Sequence, residues 1–375
     1  MSMFARRSFA ARTRSVAVDT AAACGARVSV VVPCYNYARY LPDTVASILS
    51  QPGVELEVII VDDRSSDESV QVARALALKD DRIVVIEHRV NRGHIATYNE
   101  GLARATGDFI VLLSADDALA PGSLQRAVAL MTAQPTIGFV YGLVERFSEA
   151  IPESSVGQVH ADYRMWAGVD WLSRRCLLVT NCVVSPEVVM RREVYELVGP
   201  YDSTLPHTGD MAMWMRAAAV SDVGYVAGPP AAYYRQHNTN MHKSMFLSGQ
   251  VDGMLVDLDQ RKLTIEAVFD GPASELAEGA RLLATAKRSL AAEALAAAAR
   301  AYTWGLSQSW PVAGMIDYAK ALWPDYERLS QWRAVRRRQS LGTRWSRRNP
   351  FFVATELVID SRRRANERFQ KSTGA

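Results

Sequence analysis

Cysteine is scarce in this chain. The four present, Cys24, Cys34, Cys176 and Cys182, form no CxxC pair and lie far apart. That spacing argues against a disulfide framework and a zinc site, and it fits reduced thiols. Long apolar runs are missing as well, so no membrane-crossing helix is expected. No GxGxxG motif follows a β-rich run, which sets aside a dinucleotide oxidoreductase. Acidic residues are nearly absent from both ends. Residues 1–27 hold five Arg against one Asp, and residues 333–375 hold 12 basic against three acidic residues. The body between them carries a net charge of −10, although the whole chain is at +3. This distribution excludes a uniformly basic nucleic-acid coat, and no nucleic-acid partner is expected.

What is present reads as globular. Hydrophobic residues make up 49% of the chain and charged residues 22%, enough apolar surface for a sizeable core. A length of 375 residues suggests about two domains. Met1–Arg27 is rich in Arg, Ser and Ala, as a mitochondrial transit peptide would be, but it lacks the apolar stretch of a secretory signal. Its plain reading is a basic, disordered tail.

Five β-rich runs precede residue 145: Val28–Val32, Val54–Val61, Ile83–Glu87, Phe109–Leu113 and Ile137–Val144. Several are unbroken Val/Ile/Leu runs, the pattern of strands buried on both faces. Helical stretches lie between them. Tyr40–Ser50 carries Pro42 in its first turn, and Ser65 to Glu68 reads as a capping box. Ile95–Ala105 and Gly122–Ala133 complete the set. This alternation predicts an α/β fold with βαβ units, a parallel sheet and helices on both faces. Asn181–Met190 is a further strand candidate, and Thr208–Val220 reads as a helix. From about 245 to 330 the apolar spacing is helical, as in Glu275–Tyr302 and Val312–Ala321.

Ligands of such sheets sit beyond the carboxyl ends of the strands. There the sequence places Pro33-Cys34-Tyr35-Asn36, then Asp62-Asp63, then Asn91-Arg92-Gly93-His94, then Ser114-Ala115-Asp116-Asp117. A tyrosine face can lie against a planar ring. Adjacent carboxylates at a strand end suit hydrogen bonding to a base or ribose. Arg and His at a helix N-terminus favour a diphosphate. The second carboxylate pair can hold a divalent cation on phosphate oxygens.

These segments together resemble the family 2 glycosyltransferases with the GT-A fold. The opening strand with Pro33-Cys34-Tyr35-Asn36, the Val61-to-Asp67 segment, the stretch from Asn91 through Asn99 and Gly101 to Asp108, and Leu112-to-Asp117 at the DXD-type position carry the likeness. It covers residues 28–240. A helical region at 241–332 and an Arg-rich tail at 333–375 would follow.

The resemblance implies sugar transfer with inversion from a nucleotide-diphosphate donor, a UDP- or GDP-sugar, to a glycan, lipid-linked or small-molecule acceptor. Pro33, Tyr35 and Asp62 would contact the base. Asn36, Asp63, Arg92, His94, Asn99, Ala115 and Asp117 would complete the nucleotide-sugar set. Asp116 would ligate Mn²⁺ or Mg²⁺ with help from His237, for which His207 and His242 compete. Asp210, in Thr208-Gly209-Asp210-Met211, would be the catalytic base. Glu145, Asp162 and Trp166 are placed toward the acceptor.

Three positions depart from the family pattern. Ser114 replaces an Asp, Gly209 replaces a Glu, and Arg64 replaces a Gly, so that turn is not expected to need a positive φ. Two other readings stand beside this one: a non-catalytic nucleotide-sugar or glycan-binding subunit, and a nucleotidyltransferase. The absence of a Gly-rich first turn weighs against the latter. The Arg clusters of the tail alternate with Trp332, Trp345 and Phe351-Phe352, which suits an anionic lipid surface. The enzyme is accordingly expected in the cytoplasm, peripheral at the inner face of the membrane.

Overall fold

The computed structural model describes residues 12–152, 160–237 and 253–374. A mixed, ten-stranded sheet forms the centre of the molecule. In chain order its strands are β1 Arg14–Ser15, β2 Arg27–Cys34, β3 Glu55–Asp62, β4 Ile83–Glu87, β5 Phe109–Leu112, β6 Ala118–Leu119, β7 Ile137–Phe147, β8 Asp162–Trp166, β9 Val189–Arg191 and β10 Asp222–Arg235. They are arranged β1-β8-β10-β7-β9-β5-β2-β3-β4, with β6 paired to β10. The block β5-β2-β3-β4 is parallel, so its four carboxyl ends open on one edge. The short strand β9 runs antiparallel to both β5 and β7.

The unbroken apolar runs are explained by the two layers they serve. In β2 and β3, Val28, Val30, Val32, Val58 and Ile60 point into one core, shared with helices Leu41–Leu49 and Ser123–Ala133. Their neighbours Val31, Ile59 and Val61 point into the other, shared with helices His94–Arg104 and Gly209–Val220. Successive side chains of a strand face opposite ways, so burial on both faces needs an apolar residue at every position. Gly101 lets the His94–Arg104 helix press on the sheet. A Cβ there would lie 2.3 Å from Val31 Cγ1.

The helical region shares this second core. Leu258, Ile265, Leu290, Met315 and Val335 join Met211 and Trp214 in one continuous apolar cluster with the sheet. Helices Gly253–Asp270, Gly279–Trp304 and Val312–Leu322 lie where the sequence places helices.

Four local expectations are corrected. Residues 12–27 are not a free tail, since Arg14–Ser15 pairs with β8 and Asp19 caps the turn Thr20–Ala23; residues 1–11 lie outside the described residues. The capping box at Ser65 does not form. The helix begins later, at Ser69, and Asp67 Oδ1 accepts from the Ser69 N–H at 2.9 Å instead. Arg64 does adopt a positive φ of 64°. The stretch Asn181–Met190 is mostly a loop with a turn at Ser185–Glu187, and only Val189–Arg191 is strand.

Candidate active site

The β5 loop is held by buried polar contacts. Thr44 Oγ1 lies 2.9 Å from the Ala115 carbonyl and 2.7 Å from that of Asp117. Arg235, at the end of β10, donates Nε–H to the Asp116 carbonyl and its backbone N–H to Asp117 Oδ1, both at 2.9 Å. Its guanidinium lies 4.4 Å from the Phe147 ring centroid and 4.7 Å from that of Tyr40. The buried Asp117 is thereby committed to shaping the loop. Burial and the adjacent Asp116 charge raise its pKa well above the carboxylate range.

Asp116 is directed elsewhere. Its Oδ2 lies 2.8 Å from His237 Nε2. His237 is stacked on Tyr40 at 5.2 Å and meets Tyr37 edge-on at 5.9 Å. The sheet order brings residues 121 apart in sequence into this pair. The imidazole adjoins a cleft of about 400 Å³ that Arg39, Asp43, Glu149 and Arg235 help to line.

Asp210 opens the helix Gly209–Val220. Ser185 Oγ donates to its Oδ2 at 2.5 Å, and Tyr201 also hydrogen-bonds to it. Burial raises the Asp210 pKa, while Ser185, Tyr201 and the nearby His94 work to lower it. Tyr98 lies within electrostatic reach of both carboxylate sites. Burial raises its pKa first, and the charges of Asp210, Asp116 and Asp117 add to the rise. Tyr98 also packs edge-on against His94 at 5.4 Å and Tyr201 at 5.7 Å.

The remaining candidates divide by what they touch. Pro33 and the half-exposed Tyr35 sit at the β2 end, on the same edge as Asp116. Asp62 is buried at the β3 end and accepts from Ser65 N–H at 2.9 Å and Ser65 O–H at 2.5 Å. Ala115 is fully buried. The Arg92 side chain is held by Glu100, and His94 Nε2 lies 3.2 Å from the Pro206 carbonyl.

Three further candidates, like Asp62, have side chains hydrogen-bonded within the protein. Asp63 is buried and accepts from His88 Nδ1 and Arg92 N–H, each at 2.7 Å, and from Gly93 N–H at 2.9 Å. Burial works to raise its pKa, but those hydrogen bonds outweigh it and leave the pKa lowered. Asn99 brackets Tyr201, donating to its carbonyl at 2.8 Å and accepting from its N–H at 2.9 Å. Asn36, at φ 60°, accepts from Ser66 N–H at 2.8 Å and so ties the β2 loop to the β3 loop.

On the acceptor side, Trp166 is fully buried in the core, Asp162 pairs with Arg164 at 2.7 Å, and Glu145 is exposed. His207 is exposed, and His242 lies outside the described residues. Sequence reasoning missed Tyr37, Tyr98, Ser185 and Tyr201. Only Tyr98 carried a usable signal, being one helical turn from His94.

Comparison with known proteins bears on the family and the fold. Residues 29–196 match the model of glycosyl transferase family 2. An uncharacterized glycosyltransferase of Nostoc sp. is 29% identical over 231 residues, covering 58% of this chain and 67% of that protein. One of Haemophilus influenzae is 27% identical over 220 residues, covering 56% and 65%. The chain thus spans about two thirds of the length of these relatives. The crystal structure of S. aureus TarS 1–349 in complex with UDP-GlcNAc superposes with a TM-score of 0.51 at 17% identity, covering 80% of this chain and 91% of that 1–349 chain. That likeness shows a shared GT-A-type fold.

Proposed function

Because residues 29–196 match glycosyl transferase family 2, we propose that this protein transfers a sugar, with inversion, from a nucleotide-diphosphate donor to an acceptor hydroxyl. The observation that carries the reading is the pairing of Asp116 with His237 at 2.8 Å at the carboxyl end of β5, with Asp116 and Asp210 both within electrostatic reach of Tyr98. One carboxylate can then serve the leaving diphosphate and the other the incoming acceptor. A UDP- or GDP-sugar is the donor class that the family and the UDP-GlcNAc-bound neighbour suggest. Tyr35, Pro33 and Asp62 at the adjoining strand ends are the base contacts of this reading, with Asp62 accepting from an imide N–H.

The ionised Asp210 accepts the acceptor's O–H proton as that oxygen attacks the anomeric carbon. The bond from that carbon to the diphosphate oxygen breaks, and its electron pair leaves with the nucleoside diphosphate. A general base of this kind contributes about 10²–10⁴-fold. Ser185 and Tyr201 hold the carboxylate in one orientation throughout. The helix N-terminus at His94, with Arg92 beside it, favours an anion.

The donor set at the β5 end fits a divalent cation. Asp116 offers a carboxylate oxygen and His237 an imidazole nitrogen, ligand types taken by Mn²⁺ and, for the oxygen, Mg²⁺. The two atoms already lie side by side. No group of three or more such side chains occurs among the described residues, so donor oxygens and water would have to complete the shell. When bound, the cation offsets charge on the departing diphosphate.

A panel of nucleotide sugars, assayed for release of free nucleoside diphosphate, tests the proposal. Turnover of at least one donor is expected, with Asp116→Ala and Asp210→Asn each reducing it at least about 100-fold. Unchanged turnover in both variants would sink the mechanism.

A further inference from the structure

The arginine-rich end of the chain carries charge that its own acids do not neutralise. Residues 333–375 contain three acidic residues, and two are engaged from within. Glu356 lies 3.2 Å from the buried Arg338 and 3.4 Å from Arg300, and Asp360 lies 3.8 Å from Arg300. Arg333, Arg336, Arg337, Arg344 and Arg347 are exposed and make no ion pair among the described residues.

Large apolar side chains stand in water beside them. Trp345 is 68% exposed and Phe351 64%, and Leu341, Leu357, Val358 and Ile359 are exposed as well. Charge and ring share one surface, since the Arg337 guanidinium lies 5.7 Å from the Phe351 ring centroid. Leu341 and Trp345 follow Arg337 at four-residue intervals, across a break at Gly342.

We propose that this face, built from helices Ser330–Arg348 and Pro350–Thr373, docks the protein on an anionic lipid bilayer. A surface made only for phosphates needs cations and gains nothing from exposed Trp, Phe and aliphatic side chains. A bilayer interface takes both. Arginines meet anionic headgroups, aromatic rings rest at headgroup level, and Leu357, Val358 and Ile359 reach the acyl boundary. No described helix is long and apolar enough to cross a membrane, so the contact is with the surface. The structure also changes which residues take part. Arg338 and Phe352 are buried, the guanidinium lying 4.3 Å from the ring, so they hold the platform together and do not touch lipid.

A chain ending near 332 would also strip Val335 and Phe352 from the core, so point substitutions of exposed residues are the proper test. The full chain is sedimented with phosphatidylcholine vesicles, with and without phosphatidylglycerol. Binding is expected only with phosphatidylglycerol, and it weakens as salt rises. Combined Arg336→Glu, Arg337→Glu and Arg344→Glu should weaken it at least about tenfold. Combined Trp345→Ala and Phe351→Ala should weaken it while leaving its salt dependence in place. Should the arginine variant misfold, the Trp345/Phe351 variant decides alone. Equal binding to neutral vesicles, undiminished binding by the folded variants, or retention of duplex DNA without any vesicle binding would overturn the proposal. None of these outcomes depends on the sugar-transfer reading.

Discussion

Ser185 Oγ lies 2.5 Å from Asp210 Oδ2, joining the turn before β9 to the first turn of the helix Gly209–Val220. Tyr201 supplies a second hydrogen bond, and Asn99 clamps the Tyr201 backbone at both N–H and C=O. Asp at a helix start is ordinarily a cap. Here the residue before the helix is Thr208, no side-chain cap forms there, and the Asp210 carboxylate is held by side chains from other segments.

The first prediction concerns pH. A base acts only when ionised, so its pKa sets the acidic limb of the kcat/KM profile. Burial raises the pKa of Asp210, and the Ser185 hydrogen bond pulls it back down. Ser185→Ala removes that bond, so the limb should move to higher pH. A hydrogen bond to a charged group contributes about 1.5–3 kcal/mol, which corresponds to a shift of about one pH unit or more. Tyr201→Phe should shift it the same way, with KM for the donor little changed. A limb that stays in place would assign Ser185 a structural role only.

A second prediction concerns His237. Its imidazole meets Asp116 at 2.8 Å and is steadied by stacking on Tyr40. In the proposed reaction, chelator should abolish turnover and Mn²⁺ should restore it. His237→Ala should raise the Mn²⁺ concentration for half-maximal activity at least about tenfold, since loss of even an outer partner costs 10–100-fold in affinity. Titrating the variant with Mn²⁺ checks this. An unchanged half-point would remove His237 from the site.

The third prediction concerns stability. Asp63 holds the β4 loop through His88, Arg92 N–H and Gly93 N–H. Burial raises its pKa, but those bonds prevail and leave it lowered. A carboxyl with a depressed folded pKa contributes stability above its unfolded value of about 3.9, and this is lost as pH falls through the folded value. Asp63→Asn should therefore cost about 3 kcal/mol in urea unfolding at neutral pH, because a buried partner is removed. The gap between variant and wild type should narrow as pH drops below 4 (about the unfolded value). A constant gap across that range would refute the assignment.

The strand ends were legible because their residues follow apolar runs whose burial on both faces leaves little choice of structure. Asp62 and Asp116 lie at strand ends visible in that pattern, whereas the role given to Asp210 follows from the family resemblance. The supporting contacts were not legible. Asp63 and Asn99 bind backbone groups that only the folded chain brings near. Arg64 shows the limit at a single residue. The type of side chain argued against a left-handed turn, but the geometry after β3 imposes φ 64° all the same.

The chain's own pattern of apolar runs, breakers and acids determined the parallel α/β block β5-β2-β3-β4 with carboxylates along one edge, because period and burial are local properties of sequence. How each carboxylate is held depends on contacts across wide stretches of chain: 25 residues from Ser185 to Asp210, 121 from Asp116 to His237. The charge of the C-terminal end was likewise plain from the sequence. Packing alone decided that Arg338 faces inward to Glu356 while Arg336, Arg337 and Arg344 face water, because a buried guanidinium requires a partner that only the fold can supply.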